Sequence, residues 1–205
     1  MNYCINKPID LLFKAAALLS DAVDAHVAGM TGDAKRLIEA ADIPEIREWH
    51  WPIISRWPWQ VSLSEPQAVP KELRAVPRMP GATMRKLVME RDGHHCRFCG
   101  VPVIATDARK AMIASYGEVI PWSRQFWLTH AGFPALQMSL DHMVPHQRGG
   151  ESIAENLVVA CDPCNYGRMS FTLNEVGVLN PLLREPSRDH WSGFADWDGL
   201  QRFRQ

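Results

Sequence analysis

Two Cys-x-x-Cys pairs constrain this chain more than any other feature. They are Cys96/Cys99 and Cys161/Cys164, and the long stretch 100–160 separates them. The two-residue spacing lets one tight turn place both sulfurs of a pair on a single ion, and four thiolates form the tetrahedral shell that structural zinc prefers. The sequence therefore predicts one zinc ion that closes a large loop. Because such a shell has no open position, we expect this ion to be structural and to take no part in catalysis.

The composition is that of a globular protein. The chain has 205 residues, 46% of them hydrophobic, and a net charge of -1. This is enough for one sizeable domain, or for a small domain with an appendage. Residues 1–10 carry no secretory signal, and the apolar stretch 11–19 is far shorter than a membrane-spanning helix. We therefore expect a soluble, cytoplasmic protein without a membrane partner.

The cysteines favour a metal over disulfides, because paired cysteines without a secretory context are typically metal ligands. A redox-active Cys-x-x-Cys motif is an alternative, but that motif normally stands alone before a helix. The remaining cysteine, Cys4, is expected to be an ordinary small apolar residue. The near-neutral charge also means that any contact with nucleic acid must come from a local basic patch.

The N-terminal part of the chain has a helical pattern. Apolar residues recur at helical spacing over 8–30, which predicts an amphipathic helix. Asp33 is placed to cap a second helix at 34–41. Pro44 suits the first turn of a third helix, which we expect to end near Trp49.

Prolines punctuate residues 52–80, and this segment is predicted to be a linker or an extended strap because it cannot form a continuous helix or a central strand. Tryptophans cluster at its start. They could pin the strap to a core, form a partner-binding surface or stack on nucleobases, and the sequence leaves these alternatives open. The cluster comprises Trp49, Trp51, Trp57 and Trp59.

The rest of the chain combines helices with two short strands. From periodicity and breaker residues we predict helices at 84–92, 106–116 and 123–130, strands at 138–144 and 157–160, and a short helix at 162–169.

Residues suited to phosphodiester hydrolysis lie between and beside the cysteine pairs. Asp141 and His142 are adjacent, and Gly149-Gly150 follows them. A neutral imidazole can take a proton from the attacking water, so His142 is the candidate general base. A carboxylate can help to hold a divalent cation that stabilises the leaving oxygen, and Asp141 can supply it. Neighbouring side chains on a strand point to opposite faces, so these two need a twist or bulge to converge, or they approach the site from two sides.

Residues 84–170 resemble the HNH endonucleases, in their zinc-bearing branch. The resemblance rests on RDGHHCRFCG around the first cysteine pair and on LDHMVPH, GG, ENLVV and CDPCN after it. It implies a β-hairpin followed by a helix around one metal ion. It also implies that Asn165 joins Asp141 as a metal ligand through its amide oxygen, and that Asn156 hydrogen-bonds the loop backbone and so orients His142. Arg168 stands where relatives carry a basic residue that contacts the scissile phosphate.

Asn165 stands where many relatives have His. An amide oxygen is a harder donor than imidazole, so we expect magnesium or manganese at the catalytic site. His146 could be a second metal ligand or a phosphate donor, and one of His94 and His95 could replace a cysteine ligand. Further basic side chains could extend a phosphate-binding patch, and they are Arg148, Arg97, Arg91 and Lys86.

We therefore predict an α+β protein with a ββα-metal core and a Cys4 zinc site. The predicted parts are a helical N-terminal region (1–51), a Pro-rich linker or strap (52–80), an HNH nuclease domain (81–175) with an insertion at 100–138, and a C-terminal extension (176–205).

The predicted function is metal-dependent hydrolysis of DNA phosphodiester bonds by a single-metal mechanism with a histidine base. RNA stays open as a substrate, because DNA rests on the resemblance alone. The alternative is a catalytically inactive, zinc-stapled module that binds nucleic acid or another protein. Residues 1–80 have no nuclease signature, so a protein partner or a homodimer contact is assigned to them as a hypothesis.

Overall fold

The computed structural model describes residues 3–55 and 68–194. Helices and a two-stranded antiparallel sheet confirm the predicted α+β class. The helices are α1 (Asp10–Val27), α2 (Thr31–Ala40), α3 (Pro44–Ile54), α4 (Ala82–Asp92), α5 (Thr106–Tyr116), α6 (Gly132–Ala135) and α7 (Asp162–Arg168), and the strands are β1 (Met138–His142) and β2 (Leu157–Cys161).

One hydrophobic core joins the N-terminal helices to the predicted insertion. The buried face of α1 is rich in alanine, which lets α2 approach closely, and Leu12 and Leu19 on that face are almost fully buried. The same cluster contains Ile38 of α2, Met112 of α5 and Phe133 of α6. The segment 100–138 therefore packs on the N-terminal region instead of projecting from the second core.

A second core lies around the β-hairpin. Every residue of β2 is buried, which suits its continuous apolar sequence because α4 and α7 both pack on it. Val88 of α4, Phe98 and Val178 complete the cluster. In the register of the hairpin, Asp141 pairs with Val158 and His142 with Leu157.

Three local predictions were wrong. The helix expected at 123–130 is only a 3-10 turn at Phe126–Leu128, because Thr129 Oγ1 hydrogen-bonds the backbone of Ser123 and holds a loop. The helix α3 continues past Trp49 to Ile54, with Pro52 inside it. Asp33 does not cap α2, because that helix starts earlier and Asp33 pairs with Arg36 within it.

In the described part of the chain, no helix is both long and apolar enough to cross a membrane.

Candidate active site and metal centre

The four predicted cysteines come together. Their sulfurs all lie within 4.8 Å of one another, and all four are reduced. The first pair flanks a tight turn after α4, in which Gly100 N–H donates to the Cys96 carbonyl at 2.8 Å. In the second pair, Cys161 ends β2 and Cys164 lies in α7. A compact set of four sulfur donors fits a tetrahedral thiophilic ion such as zinc.

Neither histidine beside the first pair belongs to this group. His95 contacts Asp189 at 3.3 Å, and the ring of His94 lies against Gly193. Among the described residues, the four cysteines are the one set of three or more His, Cys, Asp or Glu side chains close enough to share an ion.

His142 lies half-buried at the end of β1, facing the loop that follows. Its Nε2 is 2.9 Å from Ser152 Oγ. The pKa of His142 is lowered to about 4, chiefly by burial, and the neighbouring His146, Arg78 and Arg168 act in the same direction. The imidazole is therefore neutral at physiological pH, which is the form that can accept a proton.

The hydrogen bonds of Ser152 assign the tautomer of His142. Ser152 Oγ is 2.8 Å from the Arg78 carbonyl and 3.2 Å from the Pro77 carbonyl, and a carbonyl can only accept. When the hydroxyl proton goes to the Arg78 carbonyl, Oγ accepts from Nε2–H of His142. The lone pair is then on Nδ1, which is left as the basic atom.

The segment 68–80 packs along this loop. His146 Nε2–H donates to the Ala75 carbonyl at 2.6 Å, and Val69 N–H donates to the Gln147 carbonyl at 2.8 Å. The rings of His142 and His146 are 6.0 Å apart. The described part of the predicted strap therefore forms one wall of the histidine site.

Asn156 holds the loop through hydrogen bonds to its backbone. Its Oδ1 accepts from Val144 N–H at 2.8 Å, and its Nδ2 donates to the carbonyls of Val144 (3.1 Å) and Glu151 (2.8 Å). The loop passes so closely that a Cβ on Gly150 would lie 1.8 Å from the Val144 carbonyl oxygen. Only glycine fits there, so the loop that carries His146 and Ser152 has one tightly fixed path.

Asp141 lies on the other side of β1 from His142. Its side chain is buried and faces Arg168, the last residue of α7, whose guanidinium donates to both carboxylate oxygens. Burial raises the pKa of Asp141 to about 6, while Arg168 acts in the opposite direction.

Arg168 is itself 1% exposed, and it also donates to the carbonyls of His142 and Phe171. A direct phosphate contact by Arg168 would require the ion pair with Asp141 to open. Its position instead fixes the carboxylate and the backbone at the end of β1.

Asn165 lies on the same side of β1 as Asp141. Its Nδ2 donates to Ser139 Oγ at 3.1 Å, and Ser139 is two residues before Asp141 on the strand. Side chains two residues apart on a strand share a face, so both predicted oxygen ligands lie between β1 and α7. The fit to a divalent cation is partial, because the Arg168 fork uses two of the roughly four lone-pair sites of the Asp141 carboxylate.

The other predicted phosphate contacts have protein partners. Arg91 pairs with Asp92 and donates to two carbonyls, and Arg97 is buried with its guanidinium on the carbonyls of Pro181 and Arg184. Arg148 pairs with Glu175 and Lys86 with Glu90.

Sequence reasoning missed Ser152 and Arg78. Arg78 is exposed, its carbonyl receives the Ser152 hydroxyl, and its charge lowers the pKa of His142. No sequence motif marks either residue, because both come close to His142 only when segment 68–80 packs on the loop after β1, which is distant in sequence. In the described residues, no hydrogen bond or ion pair engages the Arg78 guanidinium.

An α+β chain with a cysteine cluster beside a β-hairpin and helix is the architecture expected of a zinc-bearing HNH protein. The model of the HNH endonuclease family matches residues 132–168, which span β1, the loop, β2 and α7. Residues 132–168 are therefore similar to an HNH endonuclease domain, and the resemblance inferred from the motifs is confirmed over this segment. No curated protein and no solved structure matches the chain.

Proposed function

We propose that this protein is a metal-dependent endonuclease that hydrolyses DNA phosphodiester bonds, with His142 as the general base. The HNH match supports a nuclease or nucleic-acid-interacting function at the coarser level. One observation supports the more specific proposal that His142 is the general base. Within the matched segment, an imidazole with a pKa of about 4 is held by one nitrogen on Ser152, and its other nitrogen is left as a base.

The low pKa of His142 in the free protein does not prevent base catalysis. A bound phosphodiester brings negative charge close to the ring, and a nearby negative charge raises the pKa of an imidazole. Substrate binding therefore moves the pKa of His142 toward the operating pH, where a general base works best and contributes about 10²- to 10⁴-fold.

Asp141 and Asn165 are the residues that would hold a magnesium or manganese ion. When bound, such an ion polarises the phosphate and stabilises the leaving 3′-oxygen. The chain's own contribution is to hold both oxygen donors on one side of β1. Arg168 positions the Asp141 carboxylate, and Asn156 positions the loop.

We assign zinc to the four cysteines as a structural ion. The ion joins the turn after α4 to the end of β2 and the start of α7. The strand β2 follows the loop, and α7 carries the proposed ligand Asn165. The resemblance to the HNH endonucleases implies a phosphate contact for Arg168, and we assign that role to Arg78 instead, because its charge is exposed beside His142.

The direct test is plasmid cleavage with magnesium or manganese by wild type, by His142→Ala and by His190→Ala. His190 is exposed and serves as the matched control. Wild type and His190→Ala should cut, and His142→Ala and the EDTA-treated wild type should not. Zinc content is measured in each sample, so that loss of the structural ion is not mistaken for loss of chemistry. Unchanged cutting by His142→Ala contradicts the assignment of His142 as the general base.

The buried Asp141–Arg168 ion pair favours a second candidate, an inactive module that binds nucleic acid. In that case Arg168 substitutes for the catalytic cation and locks the site. Folded, zinc-loaded protein would then bind DNA without any divalent ion and would not cut under any metal tested. Metal-dependent turnover excludes this candidate.

A further inference from the structure

A cavity of about 350 Å³ lies next to the proposed cleavage site, between α3, α5, the loop 121–130 and the start of α7. Its volume is at the low end of the range of about 300–1,000 Å³ for small-molecule sites, and it is roughly tenfold the 30 Å³ share of one water. The polar and aromatic residues that line it are Arg109, Trp122, Arg124, Phe126, Gln137 and Asp162.

Gln137 lines the cavity and holds its side-chain amide in a fixed orientation. Gln137 is 7% exposed, and its Nε2 donates to Thr106 Oγ1 at 3.0 Å and to the Met138 carbonyl at 2.9 Å. Both amide hydrogens are used, so the amide cannot flip and Oε1 must be the free end. Oε1 is buried and has no hydrogen-bond partner among the described residues.

Arg109 lines the same wall. Arg109 Nε is buried and lacks a hydrogen-bond partner within the described part of the chain. Its guanidinium is held 4.1 Å from the centre of the Trp122 ring. The wall therefore presents a stacked arginine and tryptophan.

Flat surfaces border the cavity. The Trp122 side chain is 47% exposed, and Phe126 packs against Trp51 and Trp127 with ring centroids 5.3 and 5.5 Å away. Arginine and aromatic faces are the surfaces on which single-stranded bases stack. Arg124 at the cavity adds a positive charge suited to a phosphate.

The cavity adjoins the proposed metal ligands. Asp162 lines it and is three residues before Asn165 in α7, and both side chains hydrogen-bond Ser139. Residues three apart on a helix lie on the same face, within one turn of about 5.4 Å. A group in the cavity is therefore about one nucleotide from a phosphate held at Asn165.

We propose that this cavity binds one unstacked nucleobase of the nucleic-acid strand that the protein cuts. A base supplies the flat face that stacks on these aromatic and arginine surfaces, and its phosphate supplies the negative charge that suits Arg124. The proposal rests on the proposed function for the identity of the strand. A base inside a duplex has both of its faces covered by the neighbouring bases, so the favoured substrate is single-stranded or locally unpaired next to the cut.

The test is binding of a labelled single-stranded DNA oligonucleotide and of an abasic strand of the same length, without divalent metal. Wild type should bind the base-bearing strand at least about fivefold more tightly, the low end of the effect of one stacked base. Trp122→Ala should lose this preference, and Trp122→Phe, which keeps a flat face, should retain it. Trp127→Ala is the matched control, because Trp127 is 52% exposed and does not line the cavity.

Equal binding of the two strands by wild type, or an unchanged preference in Trp122→Ala, overturns the proposal. Loss of the preference in Trp127→Ala also overturns it, because the aromatic surface outside the cavity would then bind the base. Plasmid cleavage by the same proteins separates this result from the nuclease assignment. Cutting without a base preference refutes the cavity alone, and a base preference without cutting refutes the nuclease alone.

Discussion

The ion pair between Asp141 and Arg168 is the most consequential contact at the scale of single residues. Both side chains are nearly fully buried, so each charge depends on the other. Breaking a buried pair from one side leaves an uncompensated charge and typically costs about 3–5 kcal/mol, whereas an exposed pair contributes at most about 1 kcal/mol.

We predict that Arg168→Met lowers the free energy of unfolding by about 3–5 kcal/mol. Arg148→Met, which removes the more exposed pair with Glu175, should change it by no more than about 1 kcal/mol. Urea unfolding of the two variants beside wild type measures both values. Similar stabilities of the two variants would show that Asp141 does not depend on Arg168.

A second prediction at this scale concerns Arg78. If its exposed guanidinium binds a phosphate beside His142, Arg78→Ala should weaken DNA binding and reduce the slope of log affinity against log salt by about 1. Arg36→Ala is the control, because Arg36 is exposed on α2 and pairs with Asp33. Binding titrations at several salt concentrations measure the slope, and equal slopes for Arg78→Ala and wild type contradict the phosphate role.

At the scale of elements, α3 contains a buried histidine whose protonation opposes folding. His50 is 2% exposed, its two ring nitrogens have no hydrogen-bond partner in the part of the chain described, and its ring packs edge-on against Phe126. Burial lowers the pKa of His50 from 6.5 to about 4. The unfolded chain therefore binds more protons than the folded chain between these two values.

We predict that acidification from pH 6.5 towards pH 4 destabilises the protein through His50. The slope is at most about 1.4 kcal/mol per pH unit, and this contribution is constant above pH 6.5. The variant His50→Leu should lose that part of the pH dependence, and His190→Gln should keep it. Comparing unfolding free energies at pH 7 and pH 5 isolates the effect, because protonation of the cysteine thiolates affects all three proteins alike. An unchanged pH dependence in His50→Leu contradicts the prediction.

Elements with local signals were predictable from the sequence, and elements set by distant contacts were not. The helix at Thr106–Tyr116 has the predicted bounds, and the strand predicted at 157–160 is present as β2. The helix expected at 123–130 failed because Thr129 competes for the backbone. The burial of Arg168 and the docking of residues 75–78 on the histidine loop depend on pairs far apart in sequence, for which a single sequence has no signal.

At the scale of the whole molecule, the cysteine cluster lies where the two hydrophobic cores meet. Cys99 packs against both of them, while Cys96 and Cys161 belong to the core around the hairpin. An ion held there joins the turn after α4 to α7 and to the hairpin that carries His142. Without the ion, the four thiols would lose their common partner, and the turn after α4 would lose a connection to the hairpin.

We therefore predict that Cys161→Ser loses bound zinc, melts at least about 10 °C lower than wild type and fails to cut DNA. The lower melting temperature follows because the metal contributes several kcal/mol to folding. Each kcal/mol moves the melting midpoint by about 2–4 °C. Cys4→Ser is the matched control. Cys4 is half-buried near Cys96 and Cys99 but outside the cluster, and its pKa is raised to about 11, chiefly by burial. It should keep one zinc per chain and its activity. Metal analysis and thermal melting of both variants test the four-cysteine site. The site is contradicted if Cys161→Ser still binds zinc, or if both variants lose zinc equally.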